Sequence, residues 1–297
     1  MTQDESTHRF GNDRLRIAVK ADGAELVSLH SGQCGELLWQ AGPEWPRHAP
    51  VLFPIVGRLA NDVLHHDGKD FRMTQHGFAR DRRFDWIARN ADSCRLVLRD
   101  DDASRALYPF RFVLEIAYRL EGDLLAVDYT LSNPGDVVLP ASLGAHPAFR
   151  WPLAEGIAKT AHRLVFAVDE PAPIRRVEGG LLLAQPEPSP IAGRILPLDE
   201  RLFERDAVIL DRLASRSLTY DAGGAGPALA FAWHGMEQLG IWSKPGAAFL
   251  CIEPWHGLAS PAGFDGAFAD KPCLMHLAPG DKVHLGWSVR VEAPAAG

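Results

Sequence analysis

The chain has 297 residues, 46% hydrophobic and 23% charged, a balance that excludes global disorder and suits an ordinary globular protein. Its 31 basic and 38 acidic side chains leave a net charge of −7, the wrong sign for a nucleic-acid partner, whose phosphates dominate affinity. No run of about 18 apolar residues is present, so no membrane partner is expected, and the polar start MTQDESTHRF lacks the form of a signal peptide. Four well-separated cysteines (Cys34, Cys94, Cys251, Cys273) form no C-x-x-C pair, so reduced thiols and a cytoplasmic location are expected.

Taken in chain order, strand candidates are Leu15–Lys20, Glu25–Leu29 and Arg95–Arg99, followed by a longer one at Phe112–Tyr118. There Phe112, Leu114, Ile116 and Tyr118 share one parity and Arg111, Glu115 and Arg119 the other. Successive side chains of a strand face opposite ways, so this alternation gives one buried face and one wetter face. Leu125–Leu131 repeats the pattern, and Val137–Leu143 is strand-like. Further candidates are Arg163–Ala167, Ala228–Ala232, Leu239–Trp242 and Phe249–Glu253, before a last alternating run at Val283–Val291. Turn signals such as Glu121-Gly122-Asp123 and Asn133-Pro134-Gly135 separate them. Only Asp101–Leu107 and Glu200–Arg205 look helical. Many strands, 27 Gly, 22 Pro and no βαβ rhythm predict an all-β fold, a large antiparallel β-sandwich with few short helices. Strand patterning continues on both sides of Pro186-Glu187-Pro188-Ser189-Pro190, so that segment reads as a surface loop within a single domain spanning 1–297, with a core at about 13–291 and a frayed Ala-Pro-Ala-Ala-Gly end.

Four stretches gather polar functional groups among Gly, Pro and aromatic residues. In Leu52-Phe53-Pro54-Ile55-Val56-Gly57-Arg58-Leu59 an arginine follows an apolar run and a glycine. Arg58 can offer a fork of donors to sugar hydroxyls or an anion, or can simply pair with a surface carboxylate. Gln75-His76-Gly77-Phe78-Ala79-Arg80-Asp81 is a compact titratable cluster, or a turn in which His76 is satisfied by the backbone. In Gly144-Ala145-His146-Pro147-Ala148-Phe149 the proline holds His146 extended and gives its ring a defined direction. In Cys251-Ile252-Glu253-Pro254-Trp255-His256-Gly257 a carboxylate ends an apolar strand beside an indole. That pairing suits a sugar, whose C–H face packs on aromatics while its hydroxyls seek acceptors; a buried ion pair of Glu253 with Arg58 or Arg80 is the plainer reading. No H-x-H or H-E-x-x-H stands ready for a metal, and G-x-S-x-G and P-loop signatures are absent, so no metal is expected.

Together and in this order, LFP-x-x-GRL, HGFAR, G-x-HPAF and C-x-EPW-x-G resemble the aldose 1-epimerase (galactose mutarotase-like) family, over about Leu15 to Val291. The resemblance implies a large β-sandwich holding a sugar in a cleft, and a cofactor-free isomerase that interconverts the α and β anomers of a hexose. It implies His146 as the acid that protonates the ring oxygen and Glu253 as the base at the anomeric hydroxyl. Arg58 and His76 would bind and orient the sugar, Trp255 would offer its face, and Asp206 would contact hydroxyls, with Asp211 as a competitor. Acid–base chemistry needs no redox, phosphate or metal step: Glu is ionised near neutrality, and His donates where nearby carboxylates favour its imidazolium. Alternatives are a hexose-6-phosphate mutarotase gripping phosphate with Arg80, Arg82 or Arg83, a non-catalytic carbohydrate-binding protein, and a glycosidase. The partner is a small sugar or its phosphate, and the protein a monomer or homodimer.

Overall fold

In the computed structural model, which describes residues 6–293, the long alternating runs become the centre of a nine-stranded antiparallel sheet. Its order is Ile195–Pro197, Arg163–Phe166, Ser217–Asp221, Ala228–His234, Lys282–Glu292, Leu124–Ser132, Val113–Glu121, Ser93–Arg99 and Asp85–Arg89. Leu114, Ile116 and Tyr118, Leu125, Val127, Tyr129 and Leu131, and Leu285, Trp287, Val289 and Val291 all lie buried on one face. Against them pack Leu239, Ile241, Leu250 and Ile252 of a six-stranded sheet, in one continuous apolar cluster. Two sheets sharing one interior make the expected β-sandwich. The six-stranded sheet runs Val208–Leu210, Gln238–Trp242, Phe249–His256, Leu143–Ala145 and Val51–Leu52, with Ala148–Arg150 also paired to Phe249–His256. A four-stranded sheet begins the described chain and includes Leu15–Lys20, with the bounds expected of it.

Departures from the sequence reading are local. Asp101–Leu107 contains a helix only over Asp102–Arg105, where Asp101 caps the Ser104 amide and the Ser104 hydroxyl returns the bond. Glu200–Arg205 is a 3-10 turn at Glu200–Phe203. Val137–Leu143 is not one strand: Leu139–Ala141 pairs with Met275–Leu277, and the chain then joins the six-stranded sheet at Leu143. Many short strands carried too few residues to show a period, among them Val51–Leu52, Val208–Leu210 and the Val63–His66/Lys69–Arg72 hairpin. The proline-rich loop is pinned by reciprocal backbone bonds between Ile174 and Glu187, both 2.9 Å. All four thiols are free, and only Cys273 is exposed. Most of the Ala-Pro-Ala-Ala-Gly end lies outside the described residues. No helix among the described residues is long and apolar enough to cross a membrane.

Candidate active site

Alternation along Phe249–His256 creates the site. Leu250 and Ile252 point into the sandwich, so Phe249, Cys251, Glu253 and Trp255 point to the sheet's other face. On the neighbouring strands Leu143–Ala145 and Ala148–Arg150, Gly144 pairs with Trp255 and Ala148 with Cys251. Both pairings share one register, so His146 falls opposite Glu253. Pro147 has no amide hydrogen to donate, which interrupts the ladder between the two short strands. The His146 Nε2 and Glu253 Oε2 atoms are 3.1 Å apart, and both residues are buried.

Glycines make the floor flat. A Cβ on Gly240 would lie 2.3 Å from the Trp255 ring, and one on Gly144 would lie 2.6 Å from it, so the indole rests over both positions. The indole N–H has no protein partner within hydrogen-bond geometry, though it lies near enough to favour a charged Glu253. His146 is stacked on Trp45 at 4.9 Å between centroids and meets Trp242 edge-on at 5.9 Å. These groups line a cavity of about 280 Å³ together with His76, Arg80 and Asp206.

His76 adopts a left-handed backbone at φ 65° next to Gly77 at φ 72°. A side chain at Gly77 would place its Cβ 2.2 Å from the Phe53 carbonyl oxygen, so only glycine permits this approach. The tight turn lets the His76 amide donate to Gly57 O (2.7 Å) while the Gly57 amide donates to His76 Nδ1 (3.2 Å). An accepting Nδ1 leaves the ring proton on Nε2, so His76 is a neutral donor. Burial, then the nearby His146, Arg80 and Arg47, hold its pKa well below the usual histidine value.

The expectation that carboxylates favour a His146 imidazolium is reversed. Burial and then Arg80 push its pKa down to about 3, against the pull of its own backbone carbonyl. Burial and then Asp206 hold the Glu253 carboxyl well above the usual range. Both shifts run the same way, disfavouring charge on either group and so favouring a proton on Glu253 over one on His146. Sequence reasoning failed here because it saw the carboxylates and not the depth at which the fold puts them.

Of the other expected binding residues, Asp206 lines the cavity and Asp211 does not; Asp211 pairs with Arg175 at 3.0 Å. Asp206 sits at φ 64°, and its loop is pinned by Arg176, whose Nη1 donates to the carbonyls of Leu202, Asp206 and Ala207 at 2.9–3.0 Å. Arg58 is not among the lining residues. Its guanidinium forks onto Asp62 at 2.6 and 2.9 Å, the carboxylate pairing that was its plainer reading, while its stem passes behind Gly180. Arg80 is the cation in the wall instead. Its Nη2 donates to Gln75 O (2.6 Å), its buried Nε makes no hydrogen bond but lies 3.9 Å from Asp81 Oδ2, and burial lowers its pKa to about 10. Arg82 lies over the Phe78 ring and Arg83 faces Asp22, so neither reaches the cavity. Trp45, Trp242 and Arg176 were missed: each lies outside the four motifs, and none sits in a pattern that marks it as part of the site.

Comparison with known proteins agrees with this architecture. The aldose 1-epimerase family profile matches residues 6–265. The protein LacX, chromosomal, of Lactococcus lactis subsp. lactis is 31% identical over 296 residues, covering 96% of this chain and 99% of the relative. A galactose mutarotase related enzyme from Lactobacillus acidophilus superposes with a TM-score of 0.89 at 29% identity, covering 97% of this chain and 98% of its own. A galactose mutarotase-like protein from Lactobacillus casei gives 0.88 at 27% identity, with 96% and 100% covered. Family profile, full-length relative and shared fold agree, and the chain belongs to the aldose 1-epimerase family.

Proposed function

We propose that this protein is a mutarotase that interconverts the α and β anomers of a free aldohexose such as glucose or galactose, with His146 and Glu253 as its acid–base pair. The 3.1 Å contact between those two groups in a cavity wall carries the reading. Opening a cyclic hemiacetal removes a proton from the anomeric hydroxyl and adds one to the ring oxygen. Both oxygens are bonded to the same carbon, so one acid and one base a few ångström apart address both. A pair holding a single proton is one acid and one base at once. For Glu253 to act as the base, the arriving sugar must draw the shared proton onto His146, along the contact the empty site already makes. Rotation about C1–C2 and closure then give the other anomer, and the pair returns to its starting state.

The surroundings suit a single pyranose. A volume of about 280 Å³ falls just below the ~300–1,000 Å³ range of small-molecule sites, which favours a monosaccharide over an oligosaccharide. Trp255 offers a flat apolar floor; His76, Arg80 and Asp206 offer donors and an acceptor to the remaining hydroxyls. The Arg80 guanidinium in the cavity wall supports a second reading, a hexose 6-phosphate, because an arginine fork can take a phosphate in bidentate fashion. Polarimetry on freshly dissolved α-glucose, α-galactose and α-glucose 6-phosphate tests both. Acceleration of the free sugars, lost in Glu253→Gln, supports the first; acceleration confined to the phosphate ester supports the second. Unaltered rates with retained sugar binding would leave a non-catalytic carbohydrate-binding protein.

A further inference from the structure

The same strand alternation that exposes Glu253 sets Cys251 beside it, two residues back on the same face. Its thiol takes no part in the proton transfer proposed above, and it is not among the cavity-lining residues. Among the described residues, His146, Cys251 and Glu253 form a group in which a ring nitrogen, the sulfur and a carboxylate oxygen all lie within 4.8 Å of one another. Sequence spacing gave no hint of it: the histidine is over a hundred residues from the cysteine, and the two strand residues are separated by one that points into the core.

We propose that these three side chains form an inhibitory site for a soft divalent cation such as Zn²⁺, seated at the base of the sugar cavity. The proposal shares His146 and Glu253 with the mutarotase reading, but the existence of the site does not depend on turnover. Zinc takes nitrogen at ~2.0–2.1 Å, carboxylate oxygen at ~2.0–2.2 Å and thiolate sulfur at ~2.3 Å, so tetrahedral ligands stand roughly 3.3–3.6 Å apart. The His146–Glu253 separation of 3.1 Å and the 4.8 Å limit on the trio need shifts of about an ångström or less to meet that geometry. Thiolate selects zinc and its softer relatives over magnesium and calcium; binding would release the Cys251 and Glu253 protons to solvent, and the two anionic ligands so formed would balance one dication in a buried place. Three protein ligands leave a fourth position, which faces the cavity lined by His146 and Glu253. The cation would arrive by the sugar's own route, engage both members of the acid–base pair and be excluded by bound sugar.

Cadmium is the spectroscopic probe, because its bond to thiolate gives a charge-transfer absorption in the ultraviolet. In full-length protein carrying Cys34→Ser and Cys273→Ser, which removes the half-buried and the exposed thiol, one Cd²⁺ per chain should produce that absorption. Cys251→Ala should abolish it, and Glu253→Gln should weaken Cd²⁺ binding by at least tenfold, since even lost support of a metal ligand costs ~10–100-fold. In polarimetry Zn²⁺ should inhibit the unmodified protein competitively with sugar, and Cys251→Ala should keep its turnover while losing at least tenfold in zinc sensitivity. Absorption that persists in Cys251→Ala, or binding unchanged in Glu253→Gln, overturns the site. So does stimulation of turnover by zinc. Cysteine-dependent Cd²⁺ binding in a protein that accelerates no aldose would retain the site and remove the mutarotase reading. Turnover indifferent to zinc, with no cadmium signal, would do the reverse. Should Cys251→Ala fail to fold, Glu253→Gln with the thiol intact still decides.

Discussion

His146 and Glu253 are cross-strand neighbours, 3.1 Å apart, separated by over a hundred residues of chain yet set by a single register that holds on both sides of Pro147. The pair sets two groups able to hold a transferable proton side by side in one cavity wall, and the first prediction follows from it. Glu253→Gln and His146→Asn should each lower turnover by ~10²–10⁴-fold, the usual worth of one positioned acid–base group, with sugar binding and circular dichroism retained. Steady-state polarimetry beside a binding isotherm checks this; a loss confined to KM would assign the residue to binding alone.

Stability should follow the same proton. Unfolded, the histidine titrates near 6.5 and the glutamate near 4.5; folded, His146 is lowered to about 3 and Glu253 is raised. From pH 4.5 up to 6.5 or the raised Glu253 value, whichever is lower, the pair binds one proton in either state, on Glu253 when folded and on His146 when unfolded, so it adds no slope. Where the unfolded histidine has lost its proton and folded Glu253 keeps its own, stability falls as pH rises toward the folded Glu253 value. Below 4.5 the unfolded chain binds two, and stability falls as pH drops toward 3. Glu253→Gln should flatten the upper limb, so denaturant midpoints at pH 6 and pH 8.5 should converge in the variant and diverge in the parent. Equal divergence in both would show that Glu253 is not protonated in the empty site.

Arg80 and Arg58 should separate cleanly. Arg80 lines the cavity, and loss of a hydrogen bond from a charged donor costs about 1.5–3 kcal/mol, so Arg80→Ala should raise KM by roughly 10- to 150-fold. Arg58→Ala removes a half-exposed pair with Asp62 and should change KM by about twofold or less. The opposite ranking would place the substrate on the far side of the Gly179–Gly180 turn.

Gly240 and Gly144 should tolerate no side chain, because the Trp255 ring occupies the space above both. Gly240→Ala should tilt the indole, cost about 1–3 kcal/mol of stability as overpacking does, and weaken sugar binding without altering the pH profile. Tryptophan fluorescence and a sugar titration of the variant would report both effects.

The alternating runs at Val113–Glu121, Leu124–Ser132 and Lys282–Glu292 declared the large sheet, because a nine-residue strand with one wet face must show its period. Of the residues expected at the site, His76, His146, Glu253, Trp255 and Asp206 lie along one cavity and Arg58 does not. Short motif residues announce themselves, since Gly and Pro fix the backbone around them.

What the chain could not declare from sequence was depth and company. Arg58 and Arg80 both follow a glycine within compact motifs, and only the packing of the Gly179–Gly180 turn and the pairing with Asp62 turn one outward and leave the other in the wall. Trp45, Trp242 and Arg176 come from separate segments and meet the site through tertiary contact alone. The proton's place is the sharpest case: composition supplies a glutamate and a histidine with ordinary affinities, and burial against Arg80 and Asp206 inverts which of the two holds it. Residue identity thus settled which groups were available, and desolvation, which exists only once the chain is folded, decided their charge.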